Sequence, residues 1–491
     1  MHLALALLFG VALVALLSLN IAILARQQSL SQTDSIAGRS AAISRAALLE
    51  AENAATAHVF EELSLFAGNL TALDAAQPTP AHPGPLRVAR ALAIVHIAMA
   101  DAIGAATRAF EPYTGLAFVD APTSECAAAL AAAHDTLVVL YPALRVQIGA
   151  FVRAHSDRIA TSDAKRRGTE LGREAARLIL ALRADDGAAH AEPPAADFES
   201  SAPGKWRRDP IARQPVAMGG LWAELVAPFV IDAADQFRLP PPPRIDSNEF
   251  ALEFAELVAR GGLANNTVRD EWGTMVGLYW AYDGTGNVCA PPRLYLQLVL
   301  AAAQQNSMSM LDLVRATTTA AVAMADTGLA AWDSKYYHRR ARPVTFIRDD
   351  ADADHNSATA RRADWQPLGA PASNSLAPNF TPPFPAYPSG HAAFGSAAMQ
   401  VLRTYMQRDR FAVQFTSSEF DGVTRDNQGA VRKRITRTFD SATQMELENA
   451  DSRIQLGIHW RRDCTAGMAQ GAEVAQFVLN RLYTPALLRS A

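Results

Sequence analysis

Apolar residues recur at three- and four-residue intervals along most of the chain, which is the period of an amphipathic helix. The pattern is densest from Leu86 to Arg183, in stretches such as RVARALAIVHIAMADAIGAATRAF and CAAALAAAHDTLVVLYPAL. It returns after Ser247 and again from Leu294 to Trp332. No long run of alternating β-branched residues lies between turn signals, so the sequence predicts an all-α fold, a multi-helix bundle.

Proline-rich polar stretches interrupt this helical pattern at residues 76–85, 185–210 and 349–388. The last of these has little periodicity of any kind. An irregular segment of this length inside a compact domain is uncommon and often functional. We therefore expect long irregular loops in addition to the bundle.

The chain begins with an apolar run, MHLALALLFGVALVALLSLNIAILA, that contains no Asp, Glu, Lys or Arg before Arg26. A helix of that length can cross a bilayer. Residues 1–25 are therefore predicted to form one N-terminal apolar helix, a signal or a membrane anchor, which implies an exported, periplasmic or extracellular protein. The alternative is a buried helix. The run lacks the usual leading Lys or Arg, so cleavage stays open, and residues 26–85 are predicted to be a linker or stalk.

Composition excludes several classes of function. The 491 residues are 49% apolar and 19% charged with a net charge of −4, which is typical of a globular protein and supplies no basic field for a nucleic acid. We expect no nucleic-acid partner. The three cysteines, Cys126, Cys289 and Cys464, lie far apart without CxxC spacing, so they predict neither a zinc knuckle nor a disulfide framework.

Three segments in the last third carry residue types that suit an anion site. In the first, KYYHRRARP, Lys335 and Arg342 are seven residues apart and would share one face of a helix, bracketing one site. The alternative is a solvated basic face. In the second, Ser389 is placed to cap a helix that starts at Gly390 and His391, where free N–H groups bind anions and an imidazole exchanges protons.

The third segment, SRIQLGIHWRRD, contains Arg453, His459 and Asp463. Asp463 follows His459 by four residues, a spacing at which the carboxylate can accept a hydrogen bond from the imidazole. A carboxylate in that position fixes which ring nitrogen is free. This arrangement is typical of a metal-ligating or nucleophilic histidine. The alternative is a core histidine beside a surface carboxylate.

Taken in order, Lys-x6-Arg-Pro, Pro-Ser-Gly-His and Ser-Arg-x5-His closely resemble the signature shared by the vanadium haloperoxidases and the type 2 phosphatidic acid phosphatase and acid phosphatase superfamily. The resemblance implies a helical bundle that holds an oxyanion, with vanadate as the cofactor. It implies that His459 binds the metal, that His391 is the acid–base and that Lys335 polarises peroxide. The implied cofactor-binding residues are Lys335, Arg342, Ser389, Gly390 and Arg453, with Asp463 orienting His459.

Vanadate and phosphate have the same shape, so the residues around the three segments must decide between haloperoxidase and phosphatase activity. Trp332 and Phe384 match positions that line the halide pocket of chloroperoxidases, whereas algal bromoperoxidases have His in place of Phe384. The helical region 86–330 before the catalytic region 331–491 also resembles the haloperoxidases. The resemblance implies oxidation of bromide, and of chloride, by hydrogen peroxide to a hypohalous acid that halogenates a small organic acceptor.

Two alternatives stay open from the residues alone. In a phosphatase of the same superfamily, His459 would accept the phosphoryl group and His391 would protonate the leaving oxygen. The second alternative is a membrane-anchored protein with a degenerate site that acts as a scaffold, although such a protein has no reason to retain the cations and histidines of the signature. The sequence makes no prediction of the oligomeric state.

Overall fold

The computed structural model describes residues 37–263 and 267–483. The predicted apolar helix of residues 1–25 lies outside the described residues. The chain divides into two compact units, Met1–Val59 and Phe60–Ala491, and the site described below belongs entirely to the second unit. The described chain is mostly helical, which confirms the predicted all-α class.

Within the described residues, the longer α-helices are α1 (Ala37–Ala75), α2 (Gly84–Thr107), α3 (Glu125–Leu140), α4 (Arg145–Ser156), α5 (Asp163–Leu182), α6 (Asn248–Arg260), α7 (Glu271–Tyr279), α8 (Pro291–Gln305), α9 (Met310–His338), α10 (Gly390–Met406), α11 (Ala442–Gln455) and α12 (Arg461–Leu479). Shorter helical turns span Pro142–Leu144, Ala195–Asp197, Trp222–Leu225, Ala234–Phe237, Pro343–Thr345, Phe346–Asp350 and Ser418–Phe420.

In the part of the chain that the structure describes, one small sheet accompanies the helices. Strands β1 (Arg410–Thr416) and β2 (Thr436–Ser441) pair antiparallel, with Val413 opposite Phe439. Both of these side chains are fully buried. Both strands lie between α10 and α11 in the chain. The segment 349–388, which was predicted to be a long loop, is mostly irregular.

Helix α9 is the centre of the bundle and packs against α2, α8, α10 and α12. Its sequence, MLDLVRATTTAAVAMADTGLAAWDSKYYH, has small and apolar residues on every side, and most of its length is buried. A helix that is apolar all round belongs in a core. The predicted division at residues 330 and 331 falls inside α9, which is one continuous helix.

Helix α2 has the length and apolar composition of a membrane span, and it is the one straight helix of the described residues that does. Its most apolar stretch is 94% buried inside the protein. That burial is what a core helix requires, because an all-round apolar surface needs protein neighbours on every side.

Close packing of α10 against α12 sets the position of the site. A Cβ on Gly467 would lie 2.6 Å from the Ser389 carbonyl oxygen, and one on Gly471 would lie 2.1 Å from the Ala393 carbonyl oxygen. Real Cβ atoms do not approach backbone so closely, so only glycine permits this approach. The two glycines thereby bring the beginning of α10 against the beginning of α12.

Candidate active site

Lys335 and Arg342 come together from two different elements. Helix α9 ends at His338, and Arg339 turns the chain with a positive φ of 50°. Arg342 therefore lies beyond the helix, immediately before the Pro343–Thr345 turn. The expectation that the two cations share one helix face is wrong, because the left-handed residue ends the helix first. Both side chains are nonetheless buried, so the solvated basic face is excluded.

The Lys335 ammonium is held by the irregular loop that precedes α10. Its Nζ donates to the carbonyl oxygens of Pro385 at 2.8 Å and Ala386 at 3.2 Å, and also to that of Pro388. Burial and the neighbouring charge of Arg342 lower the pKa of Lys335 well below its usual value. These carbonyl groups fix the ammonium close to the beginning of α10.

The Arg342 guanidinium has one nitrogen without a partner. Its Nε donates to the Phe384 carbonyl oxygen at 2.8 Å, and its Nη1 donates to the Ile458 carbonyl oxygen at 2.8 Å. Nη1 also lies 3.0 Å from Nε2 of His459. Nη2 is buried and contacts no acceptor among the described residues. A buried donor without an acceptor is costly, so this nitrogen is available to an anion.

Ser389 caps the beginning of α10, as predicted. The Ser389 hydroxyl accepts from the Ala392 N–H at 3.4 Å, and the Ser389 N–H donates to the Asp463 carbonyl oxygen at 2.8 Å. A Cβ on Gly390 would lie 3.1 Å from two ring carbons of Trp332. A larger residue would crowd the space beside the first N–H groups of the helix, the groups that bind anions.

His459 and Asp463 form the predicted pair. His459 Nδ1 donates to Asp463 Oδ2 at 3.0 Å, and the same oxygen accepts from the Trp460 N–H at 3.0 Å. Burial and then the charge of Arg342 lower the pKa of His459 well below its usual value, so the ring is neutral. With the proton on Nδ1, the lone pair is on Nε2.

His391 and Arg453 meet over a carboxylate that the sequence reasoning missed, that of Asp283. Arg453 Nη1 lies 3.3 Å from Asp283 Oδ2 and 3.2 Å from His391 Nε2. His391 Nε2 lies 3.8 Å from Asp283 Oδ1 and donates to the Ala281 carbonyl oxygen. Asp283 follows α7 in an irregular loop, where periodicity carries no signal.

Burial decides the charge states of His391 and Asp283. Burial, followed by the charge of Arg453, lowers the pKa of His391 well below its usual value. The pKa of Asp283 is raised to about 6 by burial, and the charge of Arg453 opposes that rise. Near pH 7 the site therefore contains a neutral His391 and an ionised Asp283–Arg453 pair.

Trp332 and Phe384 form an apolar wall beside the cations. Their ring centroids are 4.8 Å apart, and the Lys335 Nζ lies 5.3 Å from the Trp332 ring and 5.0 Å from the Phe384 ring. The Arg342 Cζ lies 4.9 Å from the Phe384 ring. The Trp332 indole is fixed because its Nε1 donates to the Met218 carbonyl oxygen at 3.0 Å.

A cavity of about 360 Å³ opens onto this site. Its inner end is lined by Asp283, His391 and His459 together with Trp332 and Phe384. Of the sequence-predicted residues, Lys335, Arg342, Ser389, Arg453 and Asp463 lie behind that surface and are buried.

The residues fit an oxyanion better than a metal cation. Among the described residues, no three His, Cys, Asp or Glu side chains gather in a way that would hold a cation. Among the described residues named above, three buried cations, Lys335, Arg342 and Arg453, face two carboxylates, Asp283 and Asp463, which leaves an excess of positive charge. A tetrahedral oxyanion is attracted by this excess and would supply acceptors for the free Arg342 nitrogen.

Comparisons with known proteins agree with this chemistry. A family model described as the VCPO second helical-bundle domain matches residues 315–485, which include all three predicted segments. The vanadium chloroperoxidase of Curvularia inaequalis is 38% identical over 270 residues, 46% of this chain and 43% of that protein. The chain therefore spans less than half the length of this curated relative.

Two solved structures share the fold. A structure described as the first bacterial vanadium-dependent iodoperoxidase superposes with a TM-score of 0.67 at 22% identity, covering 86% of this chain and 96% of that chain. A holo-type bacterial vanadium-dependent chloroperoxidase superposes with a TM-score of 0.61 at 17% identity, covering 83% of this chain and 94% of that chain. At these identities the likeness is one of fold.

Proposed function

We propose that this chain is a vanadate-dependent haloperoxidase, because residues 315–485 match the VCPO second helical-bundle domain and 270 residues are 38% identical to a vanadium chloroperoxidase. In the proposed reaction, hydrogen peroxide oxidises a halide to the hypohalous acid, which halogenates an organic acceptor. The observation that carries the proposal is the neutral His459, whose Nε2 lone pair lies among buried cations while Asp463 holds its other nitrogen.

Vanadate is the proposed cofactor, and the residues present fit it. The unpartnered Arg342 nitrogen, the space beside Gly390 and the excess of buried positive charge all suit an oxyanion. Lys335, Arg342, Ser389, Gly390 and Arg453 would hold its oxygens, and His459 Nε2 would be its protein ligand. Bound vanadate supplies a Lewis acid that activates peroxide toward halide.

The chain supplies the proton transfer and the apolar wall. Because His391 Nε2–H donates to the Ala281 carbonyl oxygen, the lone pair is on Nδ1, and the lowered pKa keeps the ring neutral and able to accept a proton from peroxide. The Lys335 charge polarises the oxygen that the halide attacks. Trp332 and Phe384 exclude water, which makes a halide a better nucleophile.

Bromide is the proposed general substrate, and chloride is proposed on the basis of Phe384. The 38% identical relative carries the name chloroperoxidase, and the two similar folds carry the names iodoperoxidase and chloroperoxidase. These names differ in halide, so the halide must be measured with this chain.

Export is proposed on the uncharged apolar run of residues 1–25, as a signal or a single-span anchor. Fractionation of cells that express the full chain with a C-terminal tag tests it. We expect the chain in a membrane, periplasmic or extracellular fraction, and loss of that location when residues 1–25 are removed. A full chain confined to the soluble cytoplasmic fraction would refute export.

The roles of the two histidines are tested by measuring bound vanadium and turnover separately. His391→Ala should retain vanadium after gel filtration and lose at least about a hundredfold in halogenation rate, because it removes a general base. His459→Ala should lose the vanadium itself. His134→Ala, at a partly exposed site on α3, is the matched control and should keep both. Equal vanadium contents in the first two variants would contradict the division of roles.

The phosphatase alternative uses the same residues, so the same proteins are assayed with p-nitrophenyl phosphate in the absence of vanadate. Hydrolysis that vanadate inhibits, together with no halogenation at any pH, would move His459 from metal ligand to nucleophile.

A further inference from the structure

The cavity in front of the site is larger than peroxide and halide require. Its volume is about 360 Å³, and a water molecule occupies about 30 Å³ in the liquid, so it has room for about a dozen waters. A halide is one atom and hydrogen peroxide is two oxygens with their protons. The volume instead falls in the range of pockets that bind small organic molecules.

The outer walls of this cavity are neutral and mostly apolar. Beyond the inner end described above, its lining includes Met218, Phe380, Pro382, Pro383 and Pro291. Among the described residues, the lining contains no Lys, Arg or Glu, and its one Asp is Asp283 at the inner end. Such walls favour an uncharged molecule with an apolar body.

The walls are also fixed in place before anything binds. The Met218 N–H donates to the Pro383 carbonyl oxygen at 2.9 Å, and the Met218 carbonyl oxygen accepts from Trp332 Nε1 and from the Tyr336 hydroxyl. The Thr381 N–H donates to Asp209 Oδ2 at 2.8 Å, which anchors the segment that continues into Pro382 and Pro383. A fixed cavity lowers the entropic cost of binding and can impose one orientation on its ligand.

Two polar side chains of the lining have acceptors without partners. Gln214 Oε1 and Thr285 Oγ1 are buried atoms that contact no hydrogen-bond partner among the described residues, and both residues line the cavity. Thr285 follows Asp283 by two residues, on the loop whose carboxylate faces His391. A bound molecule with a hydroxyl or N–H group would satisfy an acceptor that is otherwise left unpaired at a cost.

We propose that this cavity binds the organic acceptor as a neutral aromatic molecule with a hydroxyl or N–H group, of the phenol class, and that halogenation occurs there. This inference rests on the proposed function for its chemistry. The hypohalous acid transfers its halogen to a ring carbon, so the C–H bond breaks and the C–halogen bond forms. The ring proton leaves with the hydroxide as water, the carbon is oxidised by two electrons, and the halogen is reduced from +1 to −1.

Binding is measured first, by calorimetry with phenol and the full chain in the absence of vanadate. We expect phenol to bind about three- to tenfold more tightly than anisole, which has the same ring and no donor, because one neutral hydrogen bond contributes a factor of that size. Thr285→Val should abolish the preference for phenol. Thr317→Val is the matched control, since Thr317 Oγ1 is also buried without a partner in the described chain but lies on α9 outside the cavity lining.

Orientation is measured second, as the ortho-to-para ratio of bromophenols made by the vanadate-loaded enzyme. We expect a ratio at least threefold different from that given by added hypobromous acid at the same pH. Thr285→Val should move the ratio toward that of the free reagent, and Thr317→Val should not. If Thr285→Val fails to fold, Gln214→Leu takes its place in both experiments. The comparison of phenol with anisole uses the wild-type protein and needs no variant.

The two proposals fail in distinguishable ways. Bromination of a 1,3-diketone with a free-reagent ortho-to-para ratio and equal binding of phenol and anisole would refute the acceptor site and leave the haloperoxidase intact. Preferential binding of phenol without any halogenation would support the acceptor site and refute the proposed activity. Equal binding of the two ligands refutes the acceptor site whatever the activity.

Discussion

Replacing Asp463 by Asn tests how the site holds His459. Asp463 Oδ2 accepts both the His459 Nδ1–H and the Trp460 N–H, each at 3.0 Å. The Asn amide is isosteric but neutral. Its oxygen, in the place of Oδ2, can still accept from both N–H groups but is a weaker acceptor than a carboxylate, so it holds the imidazole less firmly and leaves Nε2 less basic toward a metal.

The expected loss of vanadate affinity follows from these hydrogen bonds. Removing the carboxylate that orients a ligating histidine weakens metal binding by about 10- to 100-fold, or about 1.4–2.7 kcal/mol. The fold should also lose stability, because the carboxylate faces the buried charges of Arg340, Lys335 and Arg342. Breaking such a buried ion cluster costs about 3–5 kcal/mol.

The assay is a vanadate titration of each protein, followed by equilibrium unfolding in urea, both at pH 8. Burial raises the pKa of Asp463 to about 6, so the wild-type carboxyl is ionised at that pH. Asp101→Asn is the control: Asp101 is a buried carboxyl group outside the site that accepts from the Tyr113 and Thr114 N–H groups. It should keep its vanadate affinity. An Asp463→Asn variant that binds vanadate as tightly as the wild type would refute the reasoning.

Three further predictions concern other parts of the chain. Gly390→Ala places a methyl group 3.1 Å from the Trp332 ring, and this overpacking should cost about 1–3 kcal/mol of stability. Vanadate affinity should fall at least tenfold because the methyl group crowds the first N–H groups of α10; an unchanged affinity in the titration would contradict this. Burial raises the pKa of Asp101 from 3.8 to about 6, so the folded protein binds more protons than the unfolded chain between these values and loses stability as pH rises from about 4 to 6. In urea unfolding, the free energy of unfolding of Asp101→Asn should fall by about 2–3 kcal/mol less than that of the wild type over this pH range. An identical pH dependence in the two proteins would count against the prediction. Phe384→His should lower the ratio of chloride to bromide oxidation rates at least tenfold, measured by diketone halogenation, because an imidazole brings a polar group and water into the apolar wall; an equal ratio would exclude that role.

The helical class and the local chemistry of the site could be predicted from sequence because both depend on short-range patterns. The Ser389 cap and the His459–Asp463 pair each involve residues three or four apart, and both are present. The backbone around them was less predictable. Arg339 adopts a left-handed conformation that ends α9 three residues before Arg342, and nothing in the apolar periodicity indicates that residue.

Long-range partners could not be predicted from the sequence. Asp283 lies in a loop without periodicity, 108 residues before His391, and reaches the site because α7 packs against α11. The carbonyl groups that hold Lys335 belong to a proline-rich segment, and the prolines predict only that this segment is irregular. The cavity with Gln214 and Thr285 depends on the same tertiary packing, so the sequence gives no sign of it.

The proposed activity is tested most directly by halogenation of a 1,3-diketone with hydrogen peroxide and bromide, then chloride, in phosphate-free buffer with and without orthovanadate. The protein is used as expressed, and p-nitrophenyl phosphate hydrolysis is followed in parallel. We expect halogenation that requires vanadate, occurs with bromide and extends to chloride. Vanadate-inhibited phosphatase turnover with no halogenation at any pH would contradict the central claim.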